Sequence, residues 1–307
     1  MALSTYTDTH LLLNTGARIP AVGIGSSRDG GKLVPALEEA LRLGYRHIDT
    51  AAKYGTEAQV GEAIGNSNIP RSEVFVTTKL WNTHHRPEDV SKALDESLKR
   101  LGMEYVDLYL MHWPFSIASE TEQDENGSLI NAKVDYVDTY KAMEKLLDTG
   151  KVRAIGVSNF TIQHLQRLLD NTSVVPAVNQ VELHPYLPQP ELVAFCKSKG
   201  IVMTAYSPLG AGDVLNIVND PSVIDIAASL NSTPGQVLLA WGVKRGYSVI
   251  PRSLSKERIA SNFKAIDLPS DDFTKISAIA RRGRYADPAK IWGSQFSWVF
   301  SDGNSSM

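Results

Sequence analysis

The feature that most constrains the fold is an alternation repeated along almost the whole chain. A short apolar run ends in a polar residue, and an amphipathic stretch punctuated by Gly or Pro follows it. Strand-like runs fall at 46–49, 74–78, 105–111, 152–157, 176–181, 201–205 and 247–250. Helical periodicity falls at 33–43, 57–64, 87–101, 136–147, 162–169, 190–199, 223–230, 236–244 and 256–263. A further short strand near 21–23 brings the strands to eight. Strands separated by helices need crossover connections, and so pair in parallel. Eight such units in 307 residues predict an α/β chain folded as a single-domain (β/α)8 TIM barrel over 1–307. Ahead of the first unit, the apolar stretch 11–19, with a turn at 14–16, predicts an N-terminal β-hairpin (about 9–20) closing the bottom of the barrel. Two segments stand outside the alternation: the polar stretch 116–133, long enough to be a functional loop, and an irregular tail from about 282 to 307.

Composition narrows the function classes. A net charge of −3 argues against a nucleic-acid or anionic-membrane binder. The single Cys196 excludes an internal disulfide framework and a multi-cysteine zinc site; its helical spacing with Leu192 and Phe195 predicts a buried structural thiol. No apolar run approaches a membrane span, and residues 1–8 lack the basic start and apolar stretch of a secretory signal, so the expected location is cytoplasmic.

In a barrel of this kind chemistry gathers where the strands end. The strands end on Asp49 with Tyr54 shortly after, on Lys79 and Trp81, on His112 and Trp113, on Ser158 and Asn159, on Gln180, on Tyr206 and Ser207, and on Arg252 and Ser253. One reading fits the first three ends. A lysine beside an aspartate is held charged, and its ammonium favours phenolate and so lowers a tyrosine pKa. Tyr54 then gives up a proton near neutrality, and His112 orients a carbonyl oxygen. Together these groups polarise a carbonyl and protonate the alkoxide as a hydride arrives, and the hydride must come from a cofactor.

The usual nucleotide fingerprints fail. Gly23-Ile-Gly25 has Arg28 where a third glycine belongs, and Gly31-Lys32 runs on to Leu33 with Ser26 at the first glycine position of a P-loop. The better phosphate site follows the last strand, where Arg252, Lys256 and Arg258 cluster at the start of a helix with Ser253, Ser255 and Asn262. Cations at a helix N-terminus oppose its dipole unless an anion joins them, and a 2′-phosphate would be that anion.

At this point the chain resembles the aldo-keto reductases. The resemblance is carried in order by Gly44-Tyr-Arg-His-Ile-Asp49, Thr78-Lys79-Leu-Trp81, Met111-His112-Trp-Pro114, Gly156-Val-Ser-Asn-Phe160, Gln180-Val-Glu-Leu-His-Pro185, Tyr206-Ser-Pro-Leu209 and Ile250-Pro-Arg-Ser253. It implies a monomeric barrel that binds NADPH across its rim and reduces a small carbonyl substrate, with NADH a poorer donor. It implies Tyr54 as proton donor, Asp49 and Lys79 as its tuning pair and His112 as carbonyl orienter. It further implies Ser158, Asn159 and Gln180 at the nicotinamide carboxamide, Tyr206 stacked on the ring, and Ser207 and Leu209 along the pyrophosphate. Arg252, Ser253, Ser255, Arg258 and Asn262 would lie at the adenosine end, with Gly25 and Ser26 completing the cofactor set. The pattern is most similar to the fungal and plant-type aldehyde, aldose and glycerol-type reductases.

Departures from the family pattern bear on the substrate. Ser26 and Ser27 stand where an aromatic wall residue is common, leaving room for hydroxylated or bulkier substrates, and Arg252 replaces the usual Lys. Trp81, Trp113 and Phe115 are expected to line the substrate pocket, whereas Trp292 and Trp298 read equally well as packing or as pocket wall. Each residue taken singly has a bland reading: Asp49 as a helix cap, Lys79 as a solvated cation, Tyr54 and His112 as packed core groups. His84-His85 is no metal pair, since adjacent loop residues point apart, and no metal is expected. Two rival functions stand beside carbonyl reduction: a non-catalytic regulatory or structural protein on the same scaffold, and an isomerase or lyase on an unrelated phosphate-binding barrel.

Overall fold

The computed structural model describes residues 5–27, 31–212 and 214–300. Arg28, Asp213 and the end of the tail beyond 300 lie outside the described residues. Two strands, β1 (His10–Leu12) and β2 (Arg18–Pro20), pair antiparallel as the N-terminal hairpin. Eight strands follow: β3 (Ile24–Gly25), β4 (His47–Asp49), β5 (Phe75–Leu80), β6 (Leu108–Met111), β7 (Ile155–Ser158), β8 (Val178–Glu182), β9 (Val202–Tyr206) and β10 (Ser248–Val249). They pair in parallel in sequence order from β3 to β10. The ring closes where Val22 bridges Val249 in parallel, with Gly23 N donating to Val249 O (2.9 Å) and Val249 N to Ala21 O (2.8 Å). The first strand is thus centred a few residues later than expected, but 21–23 forms the closing seam.

The helices are α1 (Leu33–Leu43), α2 (Glu57–Asn66), α3 (Pro87–Leu101), α4 (Tyr136–Glu144), α5 (Ile162–Asn171), α6 (Pro190–Ser198), α7 (Pro221–Ser229), α8 (Pro234–Lys244) and α9 (Lys256–Phe263), followed by α10 (Ser270–Ser277) and α11 (Pro288–Trp292). Local chemistry fixes several bounds. Pro87 opens α3, Glu88 and Asp89 sit at its positive end, Lys99 and Arg100 at its negative end, and Gly102 at φ 64° terminates it. Thr161 and His164 on α5, and Thr233 and Gln236 on α8, satisfy the first free N–H groups reciprocally.

Side chains alternate between helix layer and barrel interior. Tyr109 and Met111 of β6 pack among the helices, while Leu108 and Leu110 join Leu13 and Ile19 of the hairpin, Phe75, Ala154, Ala177 and Val178 in a separate interior cluster. These partners lie at or near strand starts, so the hairpin plugs the N-terminal end. Asn14 Nδ2 ties it further to Val175 O and Pro176 O, both at 3.2 Å. The same parity sends Asp49, Lys79, Ser158, Gln180 and Tyr206 to the interior at the opposite end.

The tail is less irregular than its composition suggested: α11 leads into a 3-10 segment at Ser294–Phe300. The 116–133 segment is also ordered. Bridges Ile117–Asn131 and Gln123–Leu129 make it an antiparallel flap, and Asp124 Oδ1 accepts from Asn126 N and Ser128 N at its tip. Cys196 is buried as expected, and burial pushes its thiol up to about 12. Among the described residues no helix is long and apolar enough to cross a membrane.

Candidate active site

Four of the expected groups converge at the C-terminal rim. Lys79 Nζ lies 2.6 Å from Asp49 Oδ1, 2.7 Å from Thr50 O and 3.5 Å from Tyr54 Oη. Lys79 is fully buried and Asp49 nearly so, whereas Tyr54, on a 3-10 turn at Ala52–Tyr54, is partly exposed. His112 packs edge-on to Tyr54 with ring centroids 5.7 Å apart, and edge-on to Trp81 at 5.1 Å. Gln180 Nε2 donates to the second Asp49 oxygen at 2.7 Å, so the carboxylate is held from two strands.

The electrostatics differ from expectation at one point. Burial pushes the Tyr54 phenol up, and although the Lys79 ammonium pulls the other way, as anticipated, it does not prevail. Tyr54 therefore carries its proton at neutral pH. Burial also works against the Lys79 ammonium, but the charge of Asp49 and the hydrogen bonds to Asp49 and Tyr54 outweigh it, so its pKa is raised. Burial, reinforced by Lys79, His85 and Lys53, holds His112 well below the usual histidine range, so its imidazole is neutral.

Beside this cluster, Asn159 sits at φ 65°, donating from Nδ2 to His112 O (3.0 Å) and Ser158 Oγ (3.1 Å) and accepting from Tyr206 Oη (2.8 Å). Ser158 Oγ donates to Gln180 O at 2.8 Å. The residues expected around a nicotinamide thus form one connected polar cluster next to His112. Further along the rim, an added Cβ on Gly25 would meet Ile250 O at 3.3 Å, and one on Gly235 would meet Asn262 Oδ1 at 3.2 Å and Leu209 at 3.9 Å. Both glycines keep a backbone approach open. Ser255 caps α9, and Ser253 Oγ accepts from Ser255 N at 3.2 Å. Arg252, Lys256 and Arg258 are exposed, and none forms an ion pair with a described residue. Arg252 Nη1 donates to Ser27 O at 3.0 Å, which joins the loops after β3 and β10. Ser26 is fully buried with its hydroxyl 3.3 Å from Thr56 Oγ1, while Ser27 remains partly exposed. Ser207 follows Tyr206 at φ 48° and accepts a turn hydrogen bond from Gly210 N.

Trp81, Trp113 and Phe115, the residues expected to line the substrate pocket, pack in one buried apolar cluster, an aromatic basin beside His112. The tail contributes Ala286, Trp292, Phe296, Val299 and Phe300 to it, and the flap contributes Ile117 and Leu129. Trp292 meets Trp113 edge-on at 5.1 Å, whereas Trp298 packs on His164 outside the basin. The two tryptophans that the sequence left equivalent therefore differ. Sequence reading named Trp292 but missed Phe296, Val299 and Phe300, although these recur at helical spacing. It also missed Lys53, whose ammonium lies 2.6 Å from Glu120 of the flap and 5.0 Å over the Trp81 ring. Among the described residues no group of three or more His, Cys, Asp or Glu side chains is placed to hold a metal.

Known proteins are similar to this chain in sequence and in fold. The sequence profile of the Aldo/keto reductase family matches residues 27–281. An aldehyde reductase of Saccharomyces cerevisiae is 46% identical over 299 residues, covering 92% of this chain and 95% of its own. The glycerol 2-dehydrogenase (NADP(+)) of the same yeast is 46% identical over 297 residues, 92% of this chain and 94% of the relative. A D/L-glyceraldehyde reductase of Hypocrea jecorina is 42% identical over 289 residues, 88% of this chain and 87% of the relative. The solved structure of the aldose reductase from Schistosoma japonicum superposes with a TM-score of 0.90 at 36% identity, covering 96% of this chain and 99% of that one.

Proposed function

The chain belongs to the aldo/keto reductase family, whose members are oxidoreductases acting on carbonyl and alcohol groups, and from that premise we propose that it is an NADPH-dependent reductase of small, hydroxylated aldehydes with Tyr54 as the proton donor. The observation that carries this reading is the contact chain Asp49–Lys79–Tyr54, with neutral His112 against the Tyr54 ring. A phenol that holds its proton at neutral pH has one to give, and the nearby ammonium stabilises the phenolate left behind. His112, neutral and able to donate one hydrogen bond, orients the carbonyl oxygen toward Tyr54.

When bound, the reduced nicotinamide supplies the hydride. The residues present fit such a group. Asn159, Ser158 and Gln180 offer amide and hydroxyl partners for its carboxamide, and Tyr206 offers a ring face. The exposed cations Arg252, Lys256 and Arg258 offer charge for a 2′-phosphate at the start of α9. The glycerol and glyceraldehyde for which the yeast and Hypocrea relatives are named, together with Ser27 in place of an aromatic wall, support hydroxylated aldehydes as the class. In this reading the chain is a single-domain monomer, which sedimentation checks.

NADPH oxidation with glyceraldehyde and a panel of short aldehydes tests the activity; no turnover across the panel overturns it. Tyr54→Phe should lower kcat by about 100-fold or more, the usual contribution of a positioned acid, and a wild-type rate would remove Tyr54 from the role. Arg258→Ala should raise the KM for NADPH about tenfold, the scale of a lost charged hydrogen bond, while leaving NADH use unchanged.

A further inference from the structure

The motif Gln180-Val-Glu-Leu-His-Pro185 contains two residues that the proposed reaction does not use, Glu182 and His184. Both are completely buried. Glu182 ends β8, two positions after Gln180 and on the same side of the strand, in register with Tyr206 of β9. Its carboxylate is fully occupied: Oε1 accepts from His184 Nε2 (2.8 Å) and from Tyr285 N (2.8 Å), and Oε2 accepts from Ala286 N (2.7 Å). Burial opposes its ionisation, but the His184 hydrogen bond and the two backbone donors outweigh that, and its pKa lies below the usual carboxylate value. A buried carboxylate that accepts two successive backbone N–H groups is a rigid joint, because leaving either donor unmatched costs a desolvated polar group.

What this joint holds is the root of the tail. Gly283 N also donates to Tyr186 O at 3.0 Å in the loop after β8. Beyond Ala286 the chain turns directly into the aromatic basin. There Trp292 O accepts from Leu129 N (2.9 Å), and Gln295 Nε2 donates to Leu129 O, so tail and flap are joined into one cover. We propose that Glu182, backed by His184, is a positioning residue that seats this cover over the substrate basin and so sets how tightly an aldehyde bearing an apolar ring or chain is bound, while small hydroxylated aldehydes, which do not reach the cover, are unaffected. Glu182 touches neither the Asp49–Lys79–Tyr54 chain nor the α9 cations; burial, to which the Glu182 charge adds, raises the Tyr206 phenol beside it, and burial alone keeps that phenol protonated, so the effect of replacing Glu182 falls on the part of the substrate beyond the carbonyl. The substrate half of the proposal rests on the reductase reading above; the cover half does not.

The test is Glu182→Gln in the full-length chain. An amide accepts at only one atom, so its NH2 opposes at least one of the three donors. The KM for benzaldehyde should rise about tenfold with kcat within twofold, while kcat/KM for glyceraldehyde and the affinity for NADPH stay within twofold of wild type. Hydrogen exchange over 285–300 should accelerate at least tenfold, with strands β5 to β8 unchanged. Trp292→Ala should raise the benzaldehyde KM comparably, and the double variant should be no worse than either single one, because both act through the same wall. Glu182→Asp keeps the charge but is one methylene too short to reach both N–H groups; if the Gln variant does not fold, this one should show the same pattern more weakly. An equal loss for both aldehydes, unchanged tail exchange, or additive effects in the double variant would overturn the proposal. If wild type reduces no aldehyde, the reductase reading fails, and the exchange measurement still decides whether Glu182 holds the tail.

Discussion

Replacing Asp49 by Asn should expose how much of the site's geometry depends on one buried charge. Lys79 Nζ has no exposure, and its neighbours are Asp49 Oδ1 at 2.6 Å, a backbone carbonyl at 2.7 Å and the Tyr54 hydroxyl at 3.5 Å. Asparagine is close to isosteric but carries no charge. Its NH2 must also face either Lys79 Nζ or Gln180 Nε2, both donors toward the present carboxylate. Breaking one partner of a buried ion pair costs about 3–5 kcal/mol. With an unfolding entropy of about 2.1 cal/mol/K per residue, 307 residues translate that into a fall in Tm of roughly 5–8 °C. Differential scanning calorimetry of the cofactor-free protein at pH 7.5 measures it. Asp49→Asn combined with Lys79→Met removes both charges and keeps the apolar stem, so the double variant should recover at least half of the loss. A single variant within 1 °C of wild type, or a double variant that falls by the sum of the two singles, would refute the reasoning, since either result means that the two charges are not compensating each other.

The remaining predictions are smaller in scope. Burial lowers His47 and His85 to about 3, below the unfolded value of about 6.5. Their contribution to stability is therefore complete above pH 6.5 and is lost as the pH falls toward the folded values, at about 1.4 kcal/mol per pH unit for each residue. His47→Gln should flatten the fall in unfolding free energy between pH 6.5 and 5 by about one proton's worth, and an unchanged slope would refute it. On α2, a Cβ at Gly61 would lie 2.1 Å from Leu101 O, whereas one at Gly65 meets nothing within 4 Å. Gly61→Ala should thus destabilise by about 1–3 kcal/mol or more, and Gly65→Ala should stabilise by up to about 1 kcal/mol, both read from urea unfolding. The Lys53–Glu120 pair is more than one-third exposed on both sides, so Glu120→Gln should change stability by no more than about 1 kcal/mol.

What was legible from the sequence follows a physical rule. Helices whose ends are written in their own residues were found to the residue: Gly44 at φ 106° ends α1, and Pro87 and Gly102 bracket α3. Asp49, Lys79 and His112 were legible because a period of two carries each strand's interior face to a polar residue at the rim, whereas Tyr54, on a 3-10 turn beyond β4, was legible only by its residue type and its closeness to Asp49 in the chain. The strand expected at 105–111 begins only at 108, because Val106 meets Val152 in an isolated bridge outside the ladder, and an apolar run does not say which of its residues pair. Trp292 and Trp298 could not be told apart, since that difference depends on a tail whose entry is set by Glu182. The partners of Glu182 are backbone N–H groups 103 and 104 residues away. Every non-proline residue carries such a donor, so nothing in residues 285 and 286 marks them as partners, and a buried carboxylate in a familiar motif passes for part of the motif. The same reasoning explains the Tyr54 phenol. The opposing ammonium is visible as a lysine in the sequence, but the burial that outweighs it comes from the packed rim, where His112 lies edge-on to the Tyr54 ring from a distant part of the chain. Contacts between side chains of opposite character leave a trace in composition; contacts to backbone, and desolvation, arise only once distant segments have met.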